Sequence, residues 1–209
     1  MSEELKTRDV VLLHGLGRTP MSMLPLAWRL GWAGFRCRRP SYPSTQLTVP
    51  ESIAHVHALV TEIGRPVHLV GHSLGGLIAA ALLREGDLPI ARAVQLGSPN
   101  LGSPAADRLA GTWPVTRICG PAVDDLQQHD VTPETHPHIA AIAGIKGPPL
   151  PGIDIEEPHD GIVSQASAWA GAGHRASVPS LHSFIMTSAE AARLTAHFLT
   201  HGTFPEGHT

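Results

Sequence analysis

No stretch constrains the fold of this chain more than Gly71-His72-Ser73-Leu74-Gly75-Gly76. It follows a short apolar run, Pro66-Val67-His68-Leu69-Val70, and opens onto Leu77-Ile78-Ala79-Ala80-Ala81-Leu82-Leu83. The pattern is a strand, an abrupt turn and a helix, with a serine at the apex. Glycines at 71 and 75 let strand and helix approach closely, and the serine then holds a strained backbone that projects its hydroxyl from the sheet edge. The following helix aims its unpaired amides and positive end at the same spot.

Strands and helices alternate on either side of this turn. Asp9-Val10-Val11-Leu12-Leu13 is a buried strand by its aliphatic run, ending in the glycine-rich turn His14-Gly15-Leu16-Gly17-Arg18. Thr19 and Pro20 are a helix start, and Leu24, Ala27, Trp28 and Leu30 are expected to point inward. Phe35 to Arg39 is a peripheral strand broken by Pro40 and Pro43. Thr48-Val49-Pro50-Glu51 is a capping box, with Ile53, Val56, Val60 and Ile63 at helical spacing and Gly64 as the stop. Ala91 to Leu96 and Ile139 to Ala143 are further strands, and Arg175 to Pro179 is a weaker one. Residues 104–136 are the least regular part, with short helical stretches expected at Ala105–Ala110 and Val123–Gln128. Another short helix is expected near Val163–Ala168, and a second capping box, Thr187-x-x-Glu190, opens a terminal helix through Leu194 and Phe198. Short connections between alternating elements imply a mostly parallel sheet of about six strands, covered by helices on both faces. The 209 residues fit one domain, 1–209.

Composition narrows the function classes. The net charge is −3 and no basic run occurs, so nothing in the sequence points to nucleic acid or an anionic membrane. No apolar stretch is long enough for stable membrane insertion. The charged start, Met1 to Lys6, runs almost at once into a strand, from which a cytoplasmic protein without a signal peptide is expected. Cys37 and Cys119 are then expected as free thiols rather than a disulfide. The 14 histidines are scattered without Cys-His spacing, so most are expected to be surface or structural residues and no metal is expected.

A serine hydroxyl is a poor nucleophile at neutral pH and needs a base. Histidine suits that task, and a carboxylate fixes its tautomer. In a doubly wound sheet such groups gather after the carboxyl ends of strands. Asp160, in His159-Asp160-Gly161, and His182, in Ser180-Leu181-His182-Ser183, both lie in such places. Asp124, Asp125, Asp130 and Asp154 compete for the acid, although 124 and 125 fall in an expected surface helix. His174 competes for the base, but Gly171-Ala172-Gly173 before it reads as a flexible turn.

Together these stretches resemble the α/β-hydrolase superfamily, specifically small lipases and esterases with a His-Gly loop and a GHSLGG elbow. The resemblance spans essentially the whole chain and extends to Gly97-Ser98-Pro99 and Gly102-Ser103. It implies a parallel sheet in which the first strand sits between the second and third. It also implies Ser73 as nucleophile, Asp160 as acid and His182 as base, with the backbone N–H groups of Leu16 and Leu74 as the oxyanion hole. Arg18 departs from it, standing where such loops often carry another glycine, and its side chain would shape or narrow the acyl entrance. The implied activity is hydrolysis of short- to medium-chain acyl esters from small-molecule substrates, with no cofactor. Thioester, amide, lactone and phospholipid substrates, and a non-catalytic binding role, are the alternatives. Prolines and glycines within residues 104–136 argue for little or no lid, so the site should stand open beside Asn100–Ser103 and Gly147–Pro158. Met21, Met23 and Leu101 are the substrate contacts expected there.

Overall fold

The computed structural model describes residues 7–109, 120–127, 132–148 and 152–207. Strand β1 (Asp9–Leu13) leads through a 3-10 turn, Pro20–Met23, into α1 (Leu24–Trp32). Then come β2 (Arg36–Arg38), α2 (Val49–Ile63), β3 (Val67–His72), α3 (Leu74–Glu85) and β4 (Ile90–Leu96). Helix α4 (Pro104–Leu109), a 3-10 turn at Pro121–Leu126 and β5 (His136–Gly144) follow. The chain closes with α5 (Gln165–Trp169), β6 (Ala172–Val178), a 3-10 turn at His182–Thr187 and α6 (Ala189–His201).

All six strands pair in parallel, in the order β2-β1-β3-β4-β5-β6, so β1 sits between the second and third strands. Alternate residues of each strand feed opposite cores. Val10, Leu12, Val70 and Val94 meet Leu26 and Leu30 of α1 and Leu194 and Phe198 of α6. Val11, Leu13, Leu69 and Ala93 meet Val56 and Val60 of α2 and Ile78 and Leu82 of α3. Burial of both faces explains why these strands read as continuous apolar runs. Among the described residues, no helix is long and apolar enough to cross a membrane.

Several local expectations are corrected. Trp28 does not point inward but is 61% exposed, whereas Met23, Leu26 and Leu30 are buried. Once Leu26 and Leu30 set the inward stripe, a residue two positions from each falls on the opposite side of the helix. Thr19 precedes the 3-10 turn without a side-chain capping bond. The cap of α6 is Ser188, whose hydroxyl accepts from Ala191 N–H at 3.2 Å, while Glu190 pairs with Arg193. Strand β6 starts at Ala172, so His174 lies within the sheet opposite Ala140 and not in a flexible turn. Asp125 is more than a solvated charge, since its Oδ2 accepts from Val49 N–H at 2.8 Å in the first turn of α2. Ala110, Gln128, Asp130 and Cys119 lie outside the described residues. Cys37 is a free thiol, and burial raises its pKa to about 11.

Candidate active site

Ser73 sits between β3 and α3 at φ 53° and ψ −120°, and among the described residues no other non-glycine has a positive φ. Such a conformation costs on the order of 1–3 kcal/mol and persists only where its surroundings hold it. Here Ser73 N–H donates to Leu96 O at 3.0 Å, and Ser73 O accepts from Gly76 N–H at 2.9 Å. A Cβ on Gly71 would lie 2.1 Å from the Gly75 carbonyl, and one on Gly75 would lie 2.4 Å from Leu13 O. Strand, turn and helix therefore fit only with glycine at both places. Leu74 is the first residue of α3, so its N–H has no carbonyl one turn back to bond.

The loop after β1 faces this turn. Arg18 N–H closes it onto Gly15 O at 3.2 Å, and Gly17 takes φ 64° while its N–H donates to Ser44 Oγ at 3.2 Å. The Tyr42 hydroxyl donates to His14 O, and its ring stacks on the His14 imidazole with centroids 4.2 Å apart. Tyr42 and Ser44 thus brace the loop that presents Leu16. Sequence reading did not single them out; the one signal was a lone tyrosine in a proline-flanked connection.

Asp160 and His182 are held twice over. His182 Nδ1 donates to Asp160 Oδ2 at 2.8 Å, and His182 N–H donates to Asp160 O at 2.9 Å. Asp160 Oδ1 accepts from the N–H groups of Ile162 (3.0 Å) and Val163 (2.8 Å), so both carboxylate oxygens are satisfied while the residue is buried. Gly97, at φ 58°, passes close beneath, and a Cβ there would lie 3.0 Å from Asp160 Oδ2. A reciprocal amide pair, Gln95 with Asn100, fixes the loop beyond Gly97 against Gly76 O and Ala168 O. That pair too escaped sequence reading.

His72 gives His182 a third hold, its Nε2–H donating to His182 O at 3.0 Å. That bond leaves Nδ1 as the lone-pair nitrogen, and Nδ1 has no partner. Burial, and then the neighbouring His182, push the His72 pKa well below the usual imidazole value. Burial likewise lowers that of His14, partly offset by its bond to Gly15 O. Both rings are neutral braces.

Leu16, Arg18, His72, Ser73, Ser103 and His182 meet around a cavity of about 200 Å³, with Ala105, Ala106, Val123, Leu126, Ile162 and Val163 as its apolar lining. The structure therefore brings Ser73, His182 and Leu16 together, with Asp160 behind His182 and Leu74 at the base of α3. Arg18 reaches the cavity as expected. The three substrate contacts proposed from sequence do not line it. Met23 is fully buried in the core, Met21 is 63% exposed, and Leu101 N–H is turned to Ser167 Oγ at 3.1 Å. The cavity lining comes instead from α4 and the Pro121–Leu126 turn. Ser73 Oγ and His182 border the same cavity without a hydrogen bond between them. Among the described residues, metal-ligand spacing occurs only at His57, Glu85 and Asp87, on the flank of α2 and α3, where His57 Nε2 already bonds Asp87 at 2.8 Å.

Comparison with known proteins gives a consistent picture. A model of the alpha/beta hydrolase family matches residues 10–203. A pimeloyl-[acyl-carrier protein] methyl ester esterase from Aromatoleum aromaticum is 35% identical over 109 residues, which is 51% of this chain and 43% of that protein. The chain thus matches less than half the length of that relative. Among solved structures, the Bacillus licheniformis lipase BlEst2 in its mature form superposes with a TM-score of 0.68 at 20% identity, covering 93% of this chain and 92% of that one. Its propeptide form gives 0.69 at 19% identity, covering 93% of this chain and 50% of that one. The RedJ thioesterase of Streptomyces coelicolor gives 0.60 at 20% identity, covering 95% and 92%. At such identities the structural likeness speaks to the fold.

Proposed function

The chain belongs to the alpha/beta hydrolase family, and from that premise we propose that it hydrolyses carboxylic esters through a serine-bound acyl intermediate. In this reading Ser73 Oγ attacks the ester carbonyl while His182 Nε2 takes its proton. Asp160 holds the imidazole with Nδ1–H toward itself and stabilises the imidazolium that forms. The N–H groups of Leu16 and Leu74 receive the oxyanion. His182 then gives its proton to the departing alcohol oxygen as that C–O bond breaks. Water, deprotonated by His182, attacks the acyl-enzyme, and the proton returns to Ser73 as the acid leaves. Every step is proton or acyl transfer among these groups, so the reading calls for no cofactor.

The observation that carries it is the left-handed Ser73 at a cavity shared with His182, whose other nitrogen is taken by buried Asp160. The substrate class is argued from the cavity. At about 200 Å³ it lies below the roughly 300–1,000 Å³ of drug-sized pockets, and its lining is largely aliphatic. Short- to medium-chain acyl groups fit such a space. The methyl ester esterase relative supports an ester over other acyl donors. Hydrolysis of a p-nitrophenyl ester series of rising chain length, with fluorophosphonate labelling of wild type and Ser73→Ala, tests the reading. Labelling and turnover that both vanish in a folded Ser73→Ala support it; turnover that survives the substitution removes Ser73 as the nucleophile.

A further inference from the structure

Every large hydrophobic side chain left exposed among the described residues falls on two segments. Met21, Trp28 and Trp32 stand on the Pro20–Met23 turn and α1, and Leu181 and Phe184 stand at the turn that carries His182. These segments touch, since both α1 and its preceding turn contact the His182–Thr187 turn. Trp28 and Trp32 lie one helical turn apart, away from the inward Leu26 and Leu30. Trp32, at 86% exposure, is almost wholly in solvent. The patch also runs into the mouth of the cavity. Phe184 follows Ser183, and Met21 lies just beyond Arg18, both of which line it.

On the α1 side of the patch the charge has one sign, and Glu190, beyond the His182–Thr187 turn, is paired with Arg193. No acidic residue occurs between Asp9 and Glu51, although the chain as a whole carries −3. Arg18 stands at the cavity rim, Arg29 follows Trp28 on α1, and Arg39 Nη1 donates to Pro20 O at 3.2 Å beside the first turn. They are scattered in sequence, so the cationic face does not show as a basic run; the fold gathers them. The tryptophans divide in the same way. Trp169 is tied down, its indole N–H bonded to Ala176 O at 3.0 Å, whereas the indoles of Trp28 and Trp32 have no hydrogen-bond partner among the described residues.

We propose that this face docks reversibly on an anionic lipid surface, with α1 lying along the headgroups and the cavity mouth turned toward them. A ring that seeks hydrocarbon and an N–H that seeks water are both satisfied at a headgroup boundary, where tryptophan accumulates. Arginines beside them meet lipid phosphates, each strengthening binding by roughly fivefold near an anionic surface. An acidic protein would answer the arginines and leave the two exposed indoles unexplained. Three arginines and a few shallow aromatic side chains give peripheral, salt-sensitive attachment. Such docking is separate from ester hydrolysis and can be measured without catalysis.

Sedimentation with vesicles of equal parts phosphatidylglycerol and phosphatidylcholine tests it, with phosphatidylcholine vesicles as the comparison. The full chain should pellet with the first and not with the second, and should be released by salt. The paired substitution Trp28→Ala and Trp32→Ala, both on the surface, should weaken the binding by on the order of tenfold or more. Arg29→Glu with Arg39→Glu should do the same. Hydrolysis of a soluble short-chain ester should stay at the wild-type level in the tryptophan pair. Failure to bind anionic vesicles at low salt overturns the proposal, as does binding that the folded tryptophan variant retains in full. A dimer in solution that this variant converts to monomer would reassign the face to a second copy. Retention on immobilised polyglutamate without vesicle binding would reassign it to an acidic protein. Vesicle binding by a protein that hydrolyses no ester would sink the catalytic reading and leave this one standing.

Discussion

The two walls of the cavity are built in opposite ways. One consists of turns beyond the carboxyl ends of β1, β3, β4, β5 and β6, where Gly71 and Gly75 leave no room for a Cβ. The other consists of α4 and the Pro121–Leu126 turn, which offer Ala105, Ala106, Val123 and Leu126. The first wall is pinned by directional bonds, and the Asp160 carboxylate alone takes three donors. On the second wall the side chains are aliphatic and make no directional bond. Chemistry needs positions held to a fraction of an ångström, whereas acyl selection needs only shape and apolar area. Substitutions on the first wall should therefore change rate, and those on the second should change preference.

The largest expected effects fall on the first wall. Ser73→Ala should cut kcat by about 10⁶, to a residue of catalysis from oxyanion binding alone. Asp160→Asn should cost about 10⁴ in kcat, because the amide holds the wrong imidazole tautomer. If Asp154→Asn proved the more damaging of the two acid substitutions, the pairing seen here would not be the working one. Leu16→Pro removes a backbone donor and should lose on the order of 10²–10³, while Leu16→Ala keeps the amide and most of the activity. Equal losses in two folded variants would mean that the leucine side chain matters and not its N–H.

How much of this was legible follows from the same division. The glycine spacing of the elbow, the apolar runs of β1, β3 and β4, and the placing of Asp160 and His182 after strands are written locally, because each reflects a period or a turn. Tyr42 bracing His14, and Gln95 pairing with Asn100, join residues through contacts that no period announces. On α1, Leu30 and Ala27 face the core as expected, but Trp28 lies opposite the buried stripe of Leu26 and Leu30. Met23 is expected beside the cavity from sequence, yet it is buried in the core. The second wall was invisible, since alanines and a valine on short helical pieces look like any connection.

His72 sharpens the comparison from the middle of the scale. It lines the cavity beside Ser73 and holds the His182 carbonyl. His72→Leu should lower kcat by about tenfold to a hundredfold with KM little changed, and His72→Gln, which keeps an N–H donor at similar reach, should recover much of that. A KM effect without a kcat effect would make His72 a pocket residue instead of a positioning one. The pH dependence of stability gives a second readout. The pKa of His72 is lowered on folding, so the unfolded chain binds the proton more readily once pH falls below about 6.5. The stability it contributes is whole above that pH and is lost on acidification. His68, fully buried and lowered to about 4, adds a second loss of the same sign between about 6.5 and 4. Melting temperature should accordingly drop from neutral pH toward pH ~4, and less steeply in His72→Gln.

The smallest effects should come from the second wall, and they test the comparison most closely. Val123→Ala enlarges the cavity by two methyl-sized groups beside Ala106, and Ala106→Leu fills part of the same space. One methylene in an apolar pocket discriminates by about 10–200-fold at most, and an open-sided pocket should sit at the low end. Val123→Ala should move the preferred acyl chain upward by one or two carbons, with kcat/KM changing by roughly tenfold or less for any one ester. Ala106→Leu should move it downward by a similar step. The rate of fluorophosphonate labelling with a small probe should be unaffected in both, because Ser73, His182 and the N–H groups of Leu16 and Leu74 are held from the other side. Should either substitution slow that labelling as much as it alters chain preference, the two walls are mechanically coupled. Should neither shift the chain-length profile, the acyl group lies elsewhere, and Ile162 and Val163, next to Asp160, become the surfaces to change.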